Sequence, residues 1–167
     1  MSLLSDKKIL NDGLVAIAVG SSRRSVQWQN KELLWSELVK RLETPTRTPE
    51  TYSEYQGYPK SRRDEIKDVG GFVGGTLKGG RRKSDAIEHR RLLTLDIDSV
   101  PEGKDPWTIV ELIIGCAAVL YSTHSHTEKS QRLRLVIPLS RNVSSDEYLA
   151  LSHRIAGDIG IDMCDDT

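Results

Sequence analysis

The sequence predicts an α+β protein built on a ferredoxin- or RRM-like sheet, with an α/β subregion ahead of it. Three observations carry that expectation. From residue 92 onward, hydrophobic patterning gives strand, helix, strand, strand, helix, the β-α-β-β-α part of a ferredoxin-like unit without its final strand. Before that point a short apolar run, an amphipathic stretch and a glycine-rich segment follow one another. At 167 residues the chain has the length of one domain with a sizeable core. The expected division is an N-terminal basic subregion, 1–91, and a sheet subregion, 92–167. The missing last strand implies a fragment of something longer.

In the N-terminal subregion, Leu14–Val19 is a continuous apolar run and predicts a buried strand that stops at Gly20. Residues 29–42 predict a helix, because Leu34, Leu38 and Leu42 recur at i, i+4 and i+8 with Trp35 and Val39 beside them. The Thr44–Pro49 segment, with two prolines, ends it in a loop. Residues 51–68 are polar and predict a short helix followed by a surface segment. Residues 69–83 hold six glycines and four cations in fifteen positions. Glycine amides can cradle phosphate, and Lys78, Arg81 and Arg82 supply charge for a nucleic-acid backbone. A flexible basic loop is the plainer alternative. A Walker loop is excluded, since no G-K-[ST] stands at the required spacing.

In the second subregion, Leu92–Asp98 predicts a strand. Asp105-Pro106 opens a helix, with Asp as N-cap and Pro in the first turn. Ile109, Val110, Ile113 and Ile114 form its apolar face, and Gly115 stops it. Ala117–Tyr121 predicts a strand leading into Ser122-Thr123-His124-Ser125-His126. The next strand, Arg132–Leu139, puts Arg132 and Arg134 on one face and Leu133, Leu135 and Ile137 on the other. Ser144 and Glu147 form a capping box for a last helix, whose apolar positions are Tyr148, Leu151, Ile155 and Ile159. The first two strands of this unit, joined through a helix, are expected to be parallel neighbours.

The chemistry concentrates on Asp96-Ile97-Asp98. Strand alternation points both carboxylates to one face about 7 Å apart, which is half of a divalent-metal site. A strand ending in a polar turn gives the same letters. Charge is divided unevenly: residues 1–91 carry a net +6 and residues 92–167 a net −6. That asymmetry suits a protein holding a polyanion against an acidic site, and equally a dipolar surface. Cys116 and Cys164 have no metal-ligand spacing and are too few for a disulfide framework. No secretory signal or transmembrane run is present, so a cytosolic protein without membrane partners is expected. His89 and His153 read as surface histidines, and Cys164 as a small apolar filler.

Together these segments resemble the archaeo-eukaryotic primase superfamily, specifically the primase-polymerase domain of phage and plasmid replication proteins. That superfamily carries hydrophobic-D-x-D, small-x-His and hydrophobic-Asp motifs. Leu95–Asp98 matches the first and Ser122-Thr123-His124 the second; Cys164-Asp165 or Ile161-Asp162 stands for the third. The resemblance extends through Gly70–Arg82, Tyr121–Thr127 and Arg132–Arg141, and covers about residues 69–167. It implies Mg²⁺ or Mn²⁺ held by Asp96, Asp98 and Asp165, with Asp162 as the alternative third ligand. It implies that Ser122, His124, Arg132 and Arg134 hold a nucleoside triphosphate, with His126 as the alternative histidine. Lys78, Arg81 and Arg82 would hold DNA template or nucleotide, and a helicase domain would belong to a longer chain. Two other readings stay in view. Asp96-Ile97-Asp98 also resembles the first motif of haloacid-dehalogenase-type phosphatases, with Asp96 as nucleophile, Ser122 and Gly157–Asp162 supplying later motifs. A non-catalytic RRM-like nucleic-acid-binding module would need sheet-face aromatics, which strands 92–98 and 132–139 lack.

Overall fold

A computed structural model describes residues 9 and 11–164. Leu14–Gly20 forms β1, and its Val15–Ala18 core is buried. Gln29–Leu34 (β2) and Gly71–Val73 (β3) pair with it antiparallel on either side, in the order β2-β1-β3. The second sheet contains Gly75–Leu77 (β4), Ile87–Ile97 (β5), Val119–Ser122 (β6) and Leu133–Val143 (β7). Its order is β4-β5-β7-β6, antiparallel throughout. Five α-helices complete the described chain: Trp35–Leu42 (α1), Tyr52–Gly57 (α2), Lys60–Ile66 (α3), Pro106–Ile114 (α4) and Ser145–Ile159 (α5). The fold is mixed α+β and compatible with a ferredoxin-like unit.

Strand alternation sorts the second sheet into two faces. Leu93, Leu95 and Ile97 of β5 and Leu133, Leu135 and Ile137 of β7 pack on Val110 of α4, on Ala156 and Ile159 of α5, and on Met163. On the opposite face Leu92 and Val136 pack on Val15 and Ile17 of β1 and on Trp35 and Leu38 of α1. Thus β5 and β7 are covered on both sides at the level of Leu92. Farther along the same face, at Asp96 and Arg134, the side chains are only partly covered. This explains why the strand reads as continuous apolar letters first and as an alternation afterwards.

The glycine-rich stretch is what joins the two sheets. Gly74 alone separates β3 from β4, so an extended segment leaves one sheet and enters the other within one residue. The Gly74 carbonyl accepts from both the Arg91 and Leu92 amides, where β5 bulges against β7. A side chain on Gly75 would overlap the His89 carbonyl oxygen, and one on Gly74 would press on Leu92. Gly79 and Gly80 have φ of +62° and +67°, and the Gly80 carbonyl accepts from the Trp28 amide at 2.7 Å. Asn30 completes the link, its side-chain amide donating to the Leu77 carbonyl and accepting from the Leu77 amide, both at 3.0 Å. These glycines serve close backbone approach and turning.

Several expectations need correction. Residues 29–34 are strand, and only Trp35–Leu42 is helix. Six-residue pairing with β1 and the Asn30–Leu77 amide bonds override the leucine periodicity. The helix starts where the Glu37 carboxylate accepts the Leu34 amide and Asp12 accepts the Ser36 amide. The 91/92 boundary cuts through β5, because β4 and the start of β5 already belong to the second sheet. β5 and β6 are parallel to each other but not neighbours: β7 lies between them. Leu151 and Ile113 are exposed, at 37% and 41%, whereas Ser152 and Ala156 join the expected Ile159 in the buried positions of α5.

The expected helix signals are present elsewhere. Asp105 caps α4 through the Trp107 amide, Pro106 fills its first turn, and Gly115 ends it in the left-handed region. Ser144 and Glu147 form the capping box of α5. The Arg141 guanidinium, followed by the Ser144 amide, lowers the Glu147 pKa from 4.5 to about 2. A lowered pKa contributes stability that is complete above 4.5 and lost as pH falls toward 2. The first turn of α5 is therefore expected to fray in that window, with Arg141 released. Amide exchange at Glu147 followed by NMR between pH 6 and about pH 2 checks it; protection that is flat across the window contradicts it.

Candidate functional site

The register of the second sheet builds a row of side chains on its partly open face. Asp96 of β5 faces Arg134 of β7, and Arg134 faces Tyr121 of β6. Arg134 Nε donates to Asp96 Oδ1 at 2.6 Å and Nη2 donates to Oδ2 at 2.8 Å, so the fork takes both carboxylate oxygens. One step further, Arg132 Nη1 donates to Asp98 Oδ2 at 2.6 Å. Each carboxylate side chain is 33% exposed and each arginine about as open, at 41–42%. The Asp96 hydrogen bonds raise the Arg134 pKa, so the guanidinium is charged at every accessible pH. Burial, offset in part by Arg134, raises the Tyr121 phenol pKa and keeps it protonated at neutral pH.

Asp98 stands one residue beyond β5, and its position is fixed by the chain. Its amide donates to the Met163 carbonyl at 3.0 Å, while Cys164 bridges Ile97. On the other flank, the Thr123 amide donates to the Arg132 carbonyl and the Arg132 amide donates to His126 Nδ1. His126 therefore fixes the backbone that carries Arg132. His124 stands apart from it, exposed, with its ring 4.6 Å from that of Tyr55 and Thr48 Oγ1 3.5 Å from its Nε2. Tyr55 belongs to α2 and is 4% exposed. The Arg63 guanidinium lies 6.0 Å from the Tyr55 ring centroid. Arg63 Nε and Glu50 Oε2 are buried atoms without a hydrogen-bond partner among the described residues.

The structure thus brings together Asp96, Asp98, Arg132 and Arg134, with His126 as a backbone support. Ser122 is not in the group. It pairs with Leu133, in the row of Ile97, and so projects from the α-helical side of the sheet. Tyr121 stands beside Arg134 in its place. Lys78, Arg81 and Arg82 are exposed but lie elsewhere. Leu77 pairs with Ile87, and Asp96 stands nine residues further along β5, about 30 Å of extended strand. Arg82 stacks over Trp28 at 5.2 Å. Asp162 is exposed in the Ile161–Met163 turn, and Asp165 lies outside the described residues. No group of three or more His, Cys, Asp or Glu residues forms a metal cluster among the described residues. Asp96 and Asp98 are the hard oxygen donors on this face. In the phosphatase reading Gly157-Asp158 should follow a strand; instead it lies inside α5, with Asp158 paired to Arg154 at 2.8 Å.

The sequence does not single out Tyr121, which stands beside Arg134, or Tyr55, whose ring meets that of His124. Thr51-x-x-Glu54 is a capping box, and its hydrogen bonds start α2 where Tyr55 sits. That signal locates the helix, though not its contact with His124.

Fold and site define a mixed α+β domain whose second sheet carries paired acid–arginine contacts on a partly open face. The chain belongs to the VapE N-terminal domain family, whose family model matches residues 2–167. This is a domain associated with phage and plasmid replication. No curated protein and no solved structure gives a significant match. No helix among the described residues is long and apolar enough to cross a membrane.

Proposed function

We propose that this chain is a primase-polymerase domain that transfers nucleotides to a 3′-hydroxyl on a DNA template during mobile-element replication. Family membership supports the replication-associated part of this reading. The observation that carries the chemistry is the Asp96–Arg134 and Asp98–Arg132 ladder on one partly open sheet face. Two carboxylates fit Mg²⁺ or Mn²⁺, since such ions are commonly held by one or two carboxylates with substrate phosphates completing the shell. When bound, the ion supplies charge to activate the attacking hydroxyl and to steady pyrophosphate. Asp96 and Asp98 hold it. Arg132 and Arg134 hold triphosphate oxygens, Arg134 through a planar fork suited to bidentate binding. His126 keeps Arg132 in place through its backbone.

The test is template-directed incorporation of labelled nucleotides with Mn²⁺, by this chain and by a longer chain that contains it. Incorporation that needs both template and metal supports the reading. Absence of incorporation from both chains contradicts it. A second reading, a non-catalytic nucleic-acid-binding module, is favoured by one observation: Arg134 already occupies both oxygens of Asp96. Such a module would bind DNA without any response to Mn²⁺.

The basic turn supplies a separate expectation. Lys78, Arg81 and Arg82 are exposed, and no carboxylate pairs with them among the described residues. Their triple glutamine variant is expected to bind single-stranded DNA more weakly. The slope of log K against log salt should become shallower by about 0.7 for every phosphate that is no longer neutralised. Fluorescence anisotropy across a salt series measures it; an unchanged slope removes these residues from the nucleic-acid surface.

A further inference from the structure

We infer that Asp96 and Arg134 are exchangeable partners, so that divalent cation and polyphosphate bind to this site cooperatively. The inference rests on the proposed function and concerns how that site is controlled.

Both Asp96 oxygens are engaged by one guanidinium, at 2.6 and 2.8 Å. A cation approaching Asp96 must displace this fork. Displacement alone is unfavourable, because it breaks two charge-assisted hydrogen bonds and leaves the Arg134 guanidinium beside a second cation that repels it. A polyphosphate approaching Arg134 meets the converse obstacle, since Asp96 repels it and holds its partner. When both ligands arrive, one exchange serves both: Asp96 passes from guanidinium to cation, and Arg134 passes from carboxylate to phosphate. No group is then left without a counter-charge. Reciprocity follows from linkage, each ligand raising the affinity of the other by the same factor.

The ladder is asymmetric. Asp98 gives one oxygen, Oδ2, to Arg132, and its Oδ1 makes no hydrogen bond among the described residues. A cation can reach Asp98 through that oxygen without breaking the Arg132 contact. The coupling therefore resides in the Asp96–Arg134 pair, with Arg132 contributing less.

The test measures each ligand without the other, which avoids chelation between them. In calorimetric titrations with Mn²⁺ alone, Arg134→Gln is expected to bind about tenfold more tightly than the native chain, within the usual range for coupled sites. Arg132→Gln should gain less than half that factor. In metal-free buffer with EDTA, Asp96→Asn is expected to bind inorganic tripolyphosphate about tenfold more tightly than the native chain. A gain in affinity cannot come from a variant that fails to fold. Mn²⁺ binding by the native chain that Arg134→Gln leaves unchanged or weakens overturns the coupling while leaving the functional reading intact, as does tripolyphosphate affinity unchanged in Asp96→Asn. Failure of every form to bind Mn²⁺ and tripolyphosphate overturns both.

Discussion

Replacing Asp96 and Asp98 together by asparagine is expected to abolish Mn²⁺ binding and to lower nucleotide incorporation roughly a thousandfold or more, the several kcal/mol that a metal ion contributes to charge stabilisation. The fold should survive. Asparagine keeps the shape of each side chain, and both partners, Arg132 and Arg134, are about 40% exposed, so water can solvate them when the carboxylates are gone. Exposed ion pairs of this kind contribute at most about 1 kcal/mol. The hydrophobic layer beneath, Leu95, Ile97, Leu133 and Leu135, does not involve the aspartates. Primer extension together with a thermal melt separates the two effects. A double variant that retains incorporation, or one that loses activity only because it unfolds, contradicts the assigned role.

The second large effect is on stability. Gly75→Ala is expected to cost about 3 kcal/mol, the upper end for forcing volume into a packed site. Its new methyl group would overlap the His89 carbonyl oxygen, which is backbone in the middle of a paired strand. The flexible end of a side chain could move aside, but a paired strand cannot without breaking the β4–β5 ladder. Gly79→Ala meets no atom within 4 Å, though its φ of +62° adds strain. It should cost about 1 kcal/mol. Urea denaturation of the two variants distinguishes them. Equal costs would mean that the glycine-rich stretch is a loose loop, with no crossing between the sheets.

The order of elements from Leu92 onward was legible in the sequence, because each element there obeys one local rule. Leu93, Leu95 and Ile97 alternate, Asp105-Pro106 caps, and Ser144 with Glu147 forms a reciprocal box. The facing of Arg132 and Arg134 was legible for the same reason, and their partners are Asp98 and Asp96. What failed depends on contacts between distant segments. Residues 29–34 keep a helical leucine spacing yet are strand, because β1 and Leu77 supply pairing that no local pattern announces. Ser122 comes from the small-x-His motif, which carries no information on strand phase, and it pairs with Leu133. A one-residue shift in register moves a side chain to the other face, so Tyr121 faces Arg134 in its stead. Tyr55 stands 69 residues from His124 in sequence, and nothing in either neighbourhood predicts that their rings meet.

The central claim is that Asp96 and Asp98 hold a divalent ion at the end of β5. Paramagnetic broadening of amide signals by substoichiometric Mn²⁺ tests it most directly. The amides of residues 95–99 and 132–134 are expected to disappear first, signals of the Lys78–Lys83 turn about 30 Å away are expected to persist, and the double asparagine variant is expected to show no such pattern. Broadening centred elsewhere, or broadening at β5 that survives in the double variant, would contradict it.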